Sequence, residues 1–120
     1  MMEFHAERPI YRQIADYVCA RILEGEWKNG ARVPSMRDLG AQMSVNAHTV
    51  LRAYESLQAD GIMEVRRGMG YFLTEDARER ALHLQRMEFI KTKAPEFFAE
   101  MTRLQLTLDD VLPEDLSKKS

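Results

Sequence analysis

Over the first sixty residues the apolar positions recur three and four places apart. Tyr11, Ile14, Ala15, Val18 and Ile22 make one such stripe, which predicts an amphipathic helix from about Pro9 to Glu24. Proline suits the first helical position, where its missing N–H has no partner to lose, and Gly25 is placed to end the helix. Glu26 to Arg32 reads as a loop, with Asn29-Gly30 as a turn signal. A short second helix follows Pro34, with Ser35 as cap, Asp38 three residues on, and Met36, Leu39 and Met43 turned inward. A third starts at Asn46, carries the stripe Val50, Ala53, Tyr54 and Leu57, and ends at Asp60-Gly61. The period then changes. Ile62 to Arg66 and Tyr71 to Thr74 read as two short strands joined through Arg67-Gly68-Met69-Gly70.

After the hairpin the pattern is helical again. Thr74 can cap a helix from Glu75 to about Lys93, and Pro95 opens another that carries Phe97, Phe98, Met101 and Leu104. Thr107-Leu108-Asp109-Asp110 repeats the cap pattern before a last turn ending near Pro113, and Ser117 to Ser120 read as a loose tail.

Three helices, the second and third separated by a tight turn, and then a hairpin are the layout of a winged helix-turn-helix. The expected fold is mainly α with a small β-hairpin: residues 1–73 as a winged helix-turn-helix, residues 74–120 as a C-terminal helical dimerisation element. A DNA major groove of ~12 Å admits one helix, whose outer face meets base edges. On the third helix His48, Arg52 and Glu55 lie opposite the apolar stripe, with Thr49 and Ser56 beside them. At the hairpin tip glycine lets backbone approach a phosphate closely and arginine supplies charge.

Composition first resists this reading. The chain has 17 basic and 19 acidic residues, a net charge of −2, which argues against a nucleic-acid partner. Counted by segment, residues 1–73 hold nine of each and residues 74–120 hold eight basic against ten acidic. The acids therefore gather in the second part, away from the two helices and the hairpin that carry Arg37, Arg52, Arg66 and Arg67; binding needs a local basic surface, not a basic chain. The single cysteine, Cys19, excludes an internal disulfide and a Cys-based zinc cage, and reads as a small buried side chain. No apolar run approaches ~18 residues, so no membrane span is expected. No basic stretch followed by an apolar one opens the chain, so no signal peptide is expected and the compartment is taken as cytoplasmic. His5, His48 and His83 share no metal-ligand spacing. No nucleophile–base or paired-carboxylate arrangement is visible, so neither an enzyme nor a cofactor is expected.

Residues 9 to 74 resemble the DNA-binding domain of GntR-type bacterial transcription regulators. The resemblance rests on Pro9-Ile10-Tyr11-Arg12-Gln13-Ile14, on Ile22-Leu23-Glu24-Gly25, and on Gly30-Ala31-Arg32-Val33-Pro34-Ser35-Met36-Arg37-Asp38-Leu39. It continues through Val45-Asn46, Thr49-Val50-Leu51-Arg52-Ala53-Tyr54, Leu57 and Asp60-Gly61 to Arg66-Arg67-Gly68-Met69-Gly70-Tyr71-Phe72. It implies DNA contacts from Ser35 and Arg37, from Asn46, Ala47, His48 and Thr49 at the start of the third helix, and from Arg66, Arg67 and Gly68 in the wing. Some relatives carry arginine where this chain has Leu51; the wheel places Arg52 outward instead.

The 47 or so residues after the hairpin are fewer than an ordinary effector domain needs, and a short helical tail resembles the YtrA-like subgroup, in which it dimerises. The residues fit that independently. Ala81, Leu84, Met87, Phe89 and Ile90 lie on several sides of one helix, and Phe97, Phe98 and Met101 follow; such a helix must be covered from more than one direction. The expected partners are a second copy of the chain and a palindromic double-stranded operator, with repression as the family expectation and any effector unknown. Two other readings stand beside this one: a winged helix serving as a protein-interaction module, and a regulator with a small ligand in a tail cleft lined by Phe97, Phe98 and Met101.

Overall fold

The computed structural model describes residues 8–117; His5 and the tail beyond Ser117 lie outside the described residues. The elements run α1 (Ile10–Leu23), α2 (Met36–Met43), α3 (Ala47–Ala59), β1 (Met63–Arg66), β2 (Gly70–Leu73), α4 (Ala77–Glu88), a π-helical turn (Phe89–Lys93), α5 (Ala94–Arg103), α6 (Leu108–Val111) and α7 (Glu114–Ser117). The architecture is mainly helical with one two-stranded antiparallel sheet.

Pro9 is the residue before α1, not its first. At the other end Gly25 takes φ +81°. Its N–H bonds the Ile22 carbonyl and the Glu26 N–H returns to Arg21, each at 3.0 Å. This two-bond closure needs a left-handed residue, which glycine adopts without strain. Ser35 Oγ accepts the Asp38 N–H at 3.0 Å to start α2, and Asn46 Oδ1 accepts the His48 N–H at 2.8 Å to start α3. Between the helices Ser44 is left-handed and the Val45 N–H bonds the Gly40 carbonyl at 2.9 Å. A β-carbon on Gly40 would stand 2.8 Å from the Val45 oxygen. The tight turn therefore depends on that glycine.

The core lies between α1, α2, α3 and the hairpin. Val50, Ala53, Tyr54 and Leu57 are fully buried, as are Ile14 and Val18 of α1. Each large apolar side chain so buried contributes ~1.5–3 kcal/mol. The strands pair from Met63↔Leu73 to Arg66↔Gly70. Residues 31–33 cover the outer edge of β2: Leu73 N–H donates to Ala31 O at 2.8 Å and Val33 N–H to Tyr71 O at 2.9 Å. β2 is thereby bonded along both of its edges.

Past the hairpin three sequence expectations are corrected. Thr74 does not begin a helix at Glu75. Its hydroxyl donates to the Gly61 carbonyl at 2.8 Å, and α4 starts at Ala77 with its Arg78 N–H held by Asn29 Oδ1 at 2.9 Å. The helix does not break before Pro95 either; the chain stays helical from Ala77 to Arg103. Proline lacks an N–H and crowds the carbonyl four residues back. The backbone widens into a π turn just before it, with Ala94 N–H reaching Phe89 O five residues back. The chain also continues past Pro113 into α7, after α6 has ended at Val111.

The residues fall into two compact units that divide between Gln85 and Arg86. The sequence pattern changes at 73/74, but Ala77 and Ala81 are buried in the core of the first unit, so the start of α4 belongs to it. In the second unit α6 opens with Asp110 Oδ2 accepting from the Thr107 N–H at 2.8 Å. No helix of the described residues is long and apolar enough to cross a membrane.

Candidate nucleic-acid interface

The burial of one face of α3 leaves His48, Arg52 and Glu55 exposed on the other, with Ala47, Thr49 and Ser56 partly covered. Ser35 and Asn46 are exposed too, but each has its side-chain oxygen engaged as a helix cap; they position the two helices of the motif. Arg37 is exposed in the first turn of α2, and neither it nor Arg67 has an acidic partner among the described residues.

Arg52 is held by packing. Its guanidinium carbon lies 4.2 Å from the centre of the Tyr11 ring, and that of Arg12 lies 5.6 Å from the same ring. A cation over an aromatic face is favoured by the ring quadrupole, so the start of α1 fixes a charge on the outer face of α3. Tyr54 anchors α3 from behind. Its hydroxyl donates to the Pro34 carbonyl at 2.7 Å and its ring meets Tyr71 edge-on at 5.0 Å. One side chain so joins α3 to the entrance of α2 and to the wing. Burial pushes its hydroxyl pKa above the usual tyrosine range.

In the wing Gly68 takes φ +76° with open space around it, so the tip needs glycine for its backbone and presents it without obstruction. Arg67 is exposed. Arg66 is differently placed: its Nε bonds Glu64 Oε2 at 3.0 Å and its guanidinium covers the Phe72 ring at 4.0 Å. Residues 64 and 66 share a strand face, so this acid offsets the positive charge Arg66 would otherwise present there. Asp60 lies elsewhere, around a depression with Asp76, Glu79, Arg80, His83 and Leu84. There the hydrogen bond from Arg80 holds the Asp76 carboxyl below its usual value.

Sequence reasoning missed Arg32. It pairs with Phe72 as an isolated bridge, and its guanidinium lies 3.3 Å from the position of a Gly70 β-carbon. An exposed cation is thereby added at the foot of the wing. The only signal was the alternation of Ala31, Arg32 and Val33, too short to read as a strand.

The residues expected to dimerise separate into two groups. Ala81 is fully buried in the core of the first unit and Leu84 packs against that core. Met87 is partly covered and Met101 buried, whereas Phe89, Ile90, Phe97 and Phe98 are about half exposed, at 57%, 57%, 49% and 52%. Phe97 and Phe98 meet edge-on at 5.6 Å.

Cys19 is fully buried, and burial, with Asp16 adding to it, pushes its thiol up to about 12. A protonated, inaccessible thiol is no nucleophile. Among the described residues no three His, Cys, Asp or Glu side chains stand where they could hold a metal ion.

The chain has counterparts among known proteins. Residues 10–73 match the family described as bacterial regulatory proteins, gntR family. The uncharacterized HTH-type transcriptional regulator YhcF of Bacillus subtilis is 33% identical over 110 residues, 92% of this chain and 89% of that protein. The HTH-type transcriptional repressor YtrA of the same organism is 39% identical over 70 residues, 58% of this chain and 54% of that protein. Among solved structures, a GntR family transcriptional regulator from Listeria monocytogenes is 32% identical, covers 98% of this chain and 99% of that chain, and superposes with a TM-score of 0.75.

Proposed function

The chain belongs to the GntR family and is a DNA-binding transcriptional regulator rather than an enzyme; on that premise we propose that it acts in the cytoplasm as a homodimeric repressor on a palindromic operator. Ala47, His48, Thr49 and Arg52 of α3 read the major groove. Ser35, Asn46 and Arg37 set the register on the backbone around it. Arg66, Arg67 and Gly68 carry the wing onto the neighbouring groove or phosphate. Phe89, Ile90, Phe97, Phe98, Met87 and Met101 build the contact between copies.

The observation that carries this reading is the pairing of an α3 face built from short polar and cationic side chains with a tail whose aromatic residues are half exposed. A tail of that kind needs a partner for its apolar surface. A two-fold axis would set two α3 helices against half-sites about one DNA turn, ~10 bp, apart or a multiple of it. Repression is supported by the printed role of the YtrA relative.

The test is a mobility shift on a palindrome from the region upstream of the gene. Arg37→Ala should weaken binding by ~1–3 kcal/mol with the circular dichroism unchanged, and wild-type affinity should fall steeply with salt. Normal binding by that variant removes Arg37 from the interface.

A further inference from the structure

We propose that the depression at the C-terminal end of α1 is a binding site for a small organic anion, a carboxylate or phosphate borne on a flat apolar body. It is an open depression of about 520 Å³, within the ~300–1,000 Å³ usual for ligand pockets. All of its lining comes from the first unit: the end of α1, the loop that follows, and Arg78 of α4.

Charge is the first argument. Lys28 and Arg78 line the depression together with one acid, Glu24. That acid is already engaged, since Glu24 meets Arg21 at 2.7 Å and Glu26 meets the same arginine at 3.3 Å. Lys28 and Arg78 have no acidic partner among the described residues. The lining therefore carries two cations against one acid, and that acid is turned to Arg21.

Pre-organisation is the second. The Arg78 N–H is held by Asn29 Oδ1 at 2.9 Å, and its Nη1 donates to the carbonyls of Leu23 at 2.6 Å and Ile22 at 3.3 Å. These bonds close the end of α1, a structural task. They engage one nitrogen of the fork and leave Nε and Nη2 to donate to a carboxylate or phosphate. Capping α1 explains Arg78, and Trp27 packs in part against the core; neither accounts for the depression beside them or for Lys28 at its rim.

Shape is the third. Trp27, half-buried and edge-on to Tyr17 at 6.4 Å, forms one wall, and the partly exposed Leu23 adds apolar lining. A flat apolar body fits an indole wall better than a bare inorganic anion does. The site is separate from the α3 surface: Tyr11, which touches Arg52, is twelve residues from Leu23 along α1, or ~18 Å at the helical rise.

Trp27 is the only tryptophan, so its fluorescence in the full chain reports occupancy directly. Phenyl phosphate and benzoate should each give a saturable change. Benzamidinium, of similar shape and opposite charge, should give none, and inorganic phosphate should give a much weaker one. Lys28→Gln, at an exposed position, should raise the half-saturating concentration by about tenfold, the loss of one charge-assisted hydrogen bond. Arg78→Lys, which keeps the charge but loses the fork, should weaken binding with the melting temperature followed in parallel. No saturable response to either aromatic anion, an equal response to benzamidinium, or an unchanged curve for Lys28→Gln overturns the site. An equal response to inorganic phosphate overturns the flat-body part. The titration contains no DNA, so its failure and failure of the operator reading are separate results.

Discussion

The two units of this chain are built from similar material and end in different states. Residues up to 85 close over their own apolar side chains: α1, α2, α3, the hairpin and the start of α4 share one core. Residues 86–117 are also mostly helical, yet Phe89, Ile90, Phe97, Phe98, Leu104, Leu106 and Leu108 are all exposed, and among the described large apolar residues of that unit Met101 is the buried one. The difference lies in connectivity. The loop 24–35 after α1 and the tight turn 44–46 after α2 fold three helices back on one another, and the hairpin covers what remains. The second unit continues the helical run as far as Arg103 and then has two helices of four residues each. The first unit is thus complete as a folding domain, and the second is an unsatisfied surface.

The largest effect should come from the tail. The double substitution Phe97→Glu/Phe98→Glu should convert a dimer to a monomer by light scattering, and should lower operator affinity by roughly 100-fold or more as bivalent engagement is lost. A variant that stays dimeric removes these two residues from the interface. Next, Gly40→Ala should cost the first unit ~1–3 kcal/mol, seen in the urea midpoint, because the new carbon overlaps the Val45 oxygen. The same substitution should leave dimer mass unchanged at temperatures where the protein is folded. An unaltered midpoint would mean the turn has more room than its geometry implies.

Smaller still is an alkaline effect. The Cys19 thiol is raised from 9.0 to about 12 in the folded chain. A raised acid favours the folded state while protonated, so its contribution is full below about pH 9 and is lost as pH climbs toward 12. At about pH 10 the loss is ~1 kcal/mol, and Cys19→Ala should flatten that part of the stability curve. An identical curve for the variant places the alkaline transition on other groups, Tyr54 first. Smallest is Glu64→Gln. Freed of its carboxylate, Arg66 should raise operator affinity by a few tenths of a kcal/mol, the size of an exposed ion pair, with a steeper salt dependence. Weaker binding would instead make Glu64 a device that orients Arg66.

What could be read from the residues depended on the distance over which each feature is determined. The α3 stripe, the caps Ser35 and Asn46, and Gly25 at the end of α1 involve neighbours within about one turn, so pattern was enough to find them. The outward face of α3 followed from the same period. Arg52 against Tyr11 and Arg66 against Glu64 and Phe72 could not be anticipated, because helical and strand wheels say which way a side chain leaves the backbone and nothing about what it meets. Arg32 became part of the wing only when residues 31–33 paired with β2.

The residue pattern by itself determined the order of helices, the hairpin and the identity of the buried faces, since periodicity and capping are local consequences of backbone geometry; the candidate DNA-contacting set came from the family resemblance. Tertiary structure decided the rest: that Asn29 rather than Thr74 starts α4, that Pro95 is absorbed by a π turn rather than ending a helix, that Ala81 and Leu84 belong to the core of the first unit, and that the tail aromatics do not. Each of those outcomes depends on which groups remain unpaired after the chain has packed. A sequence records its donors, acceptors and apolar surfaces; only the folded chain leaves some of them without a partner.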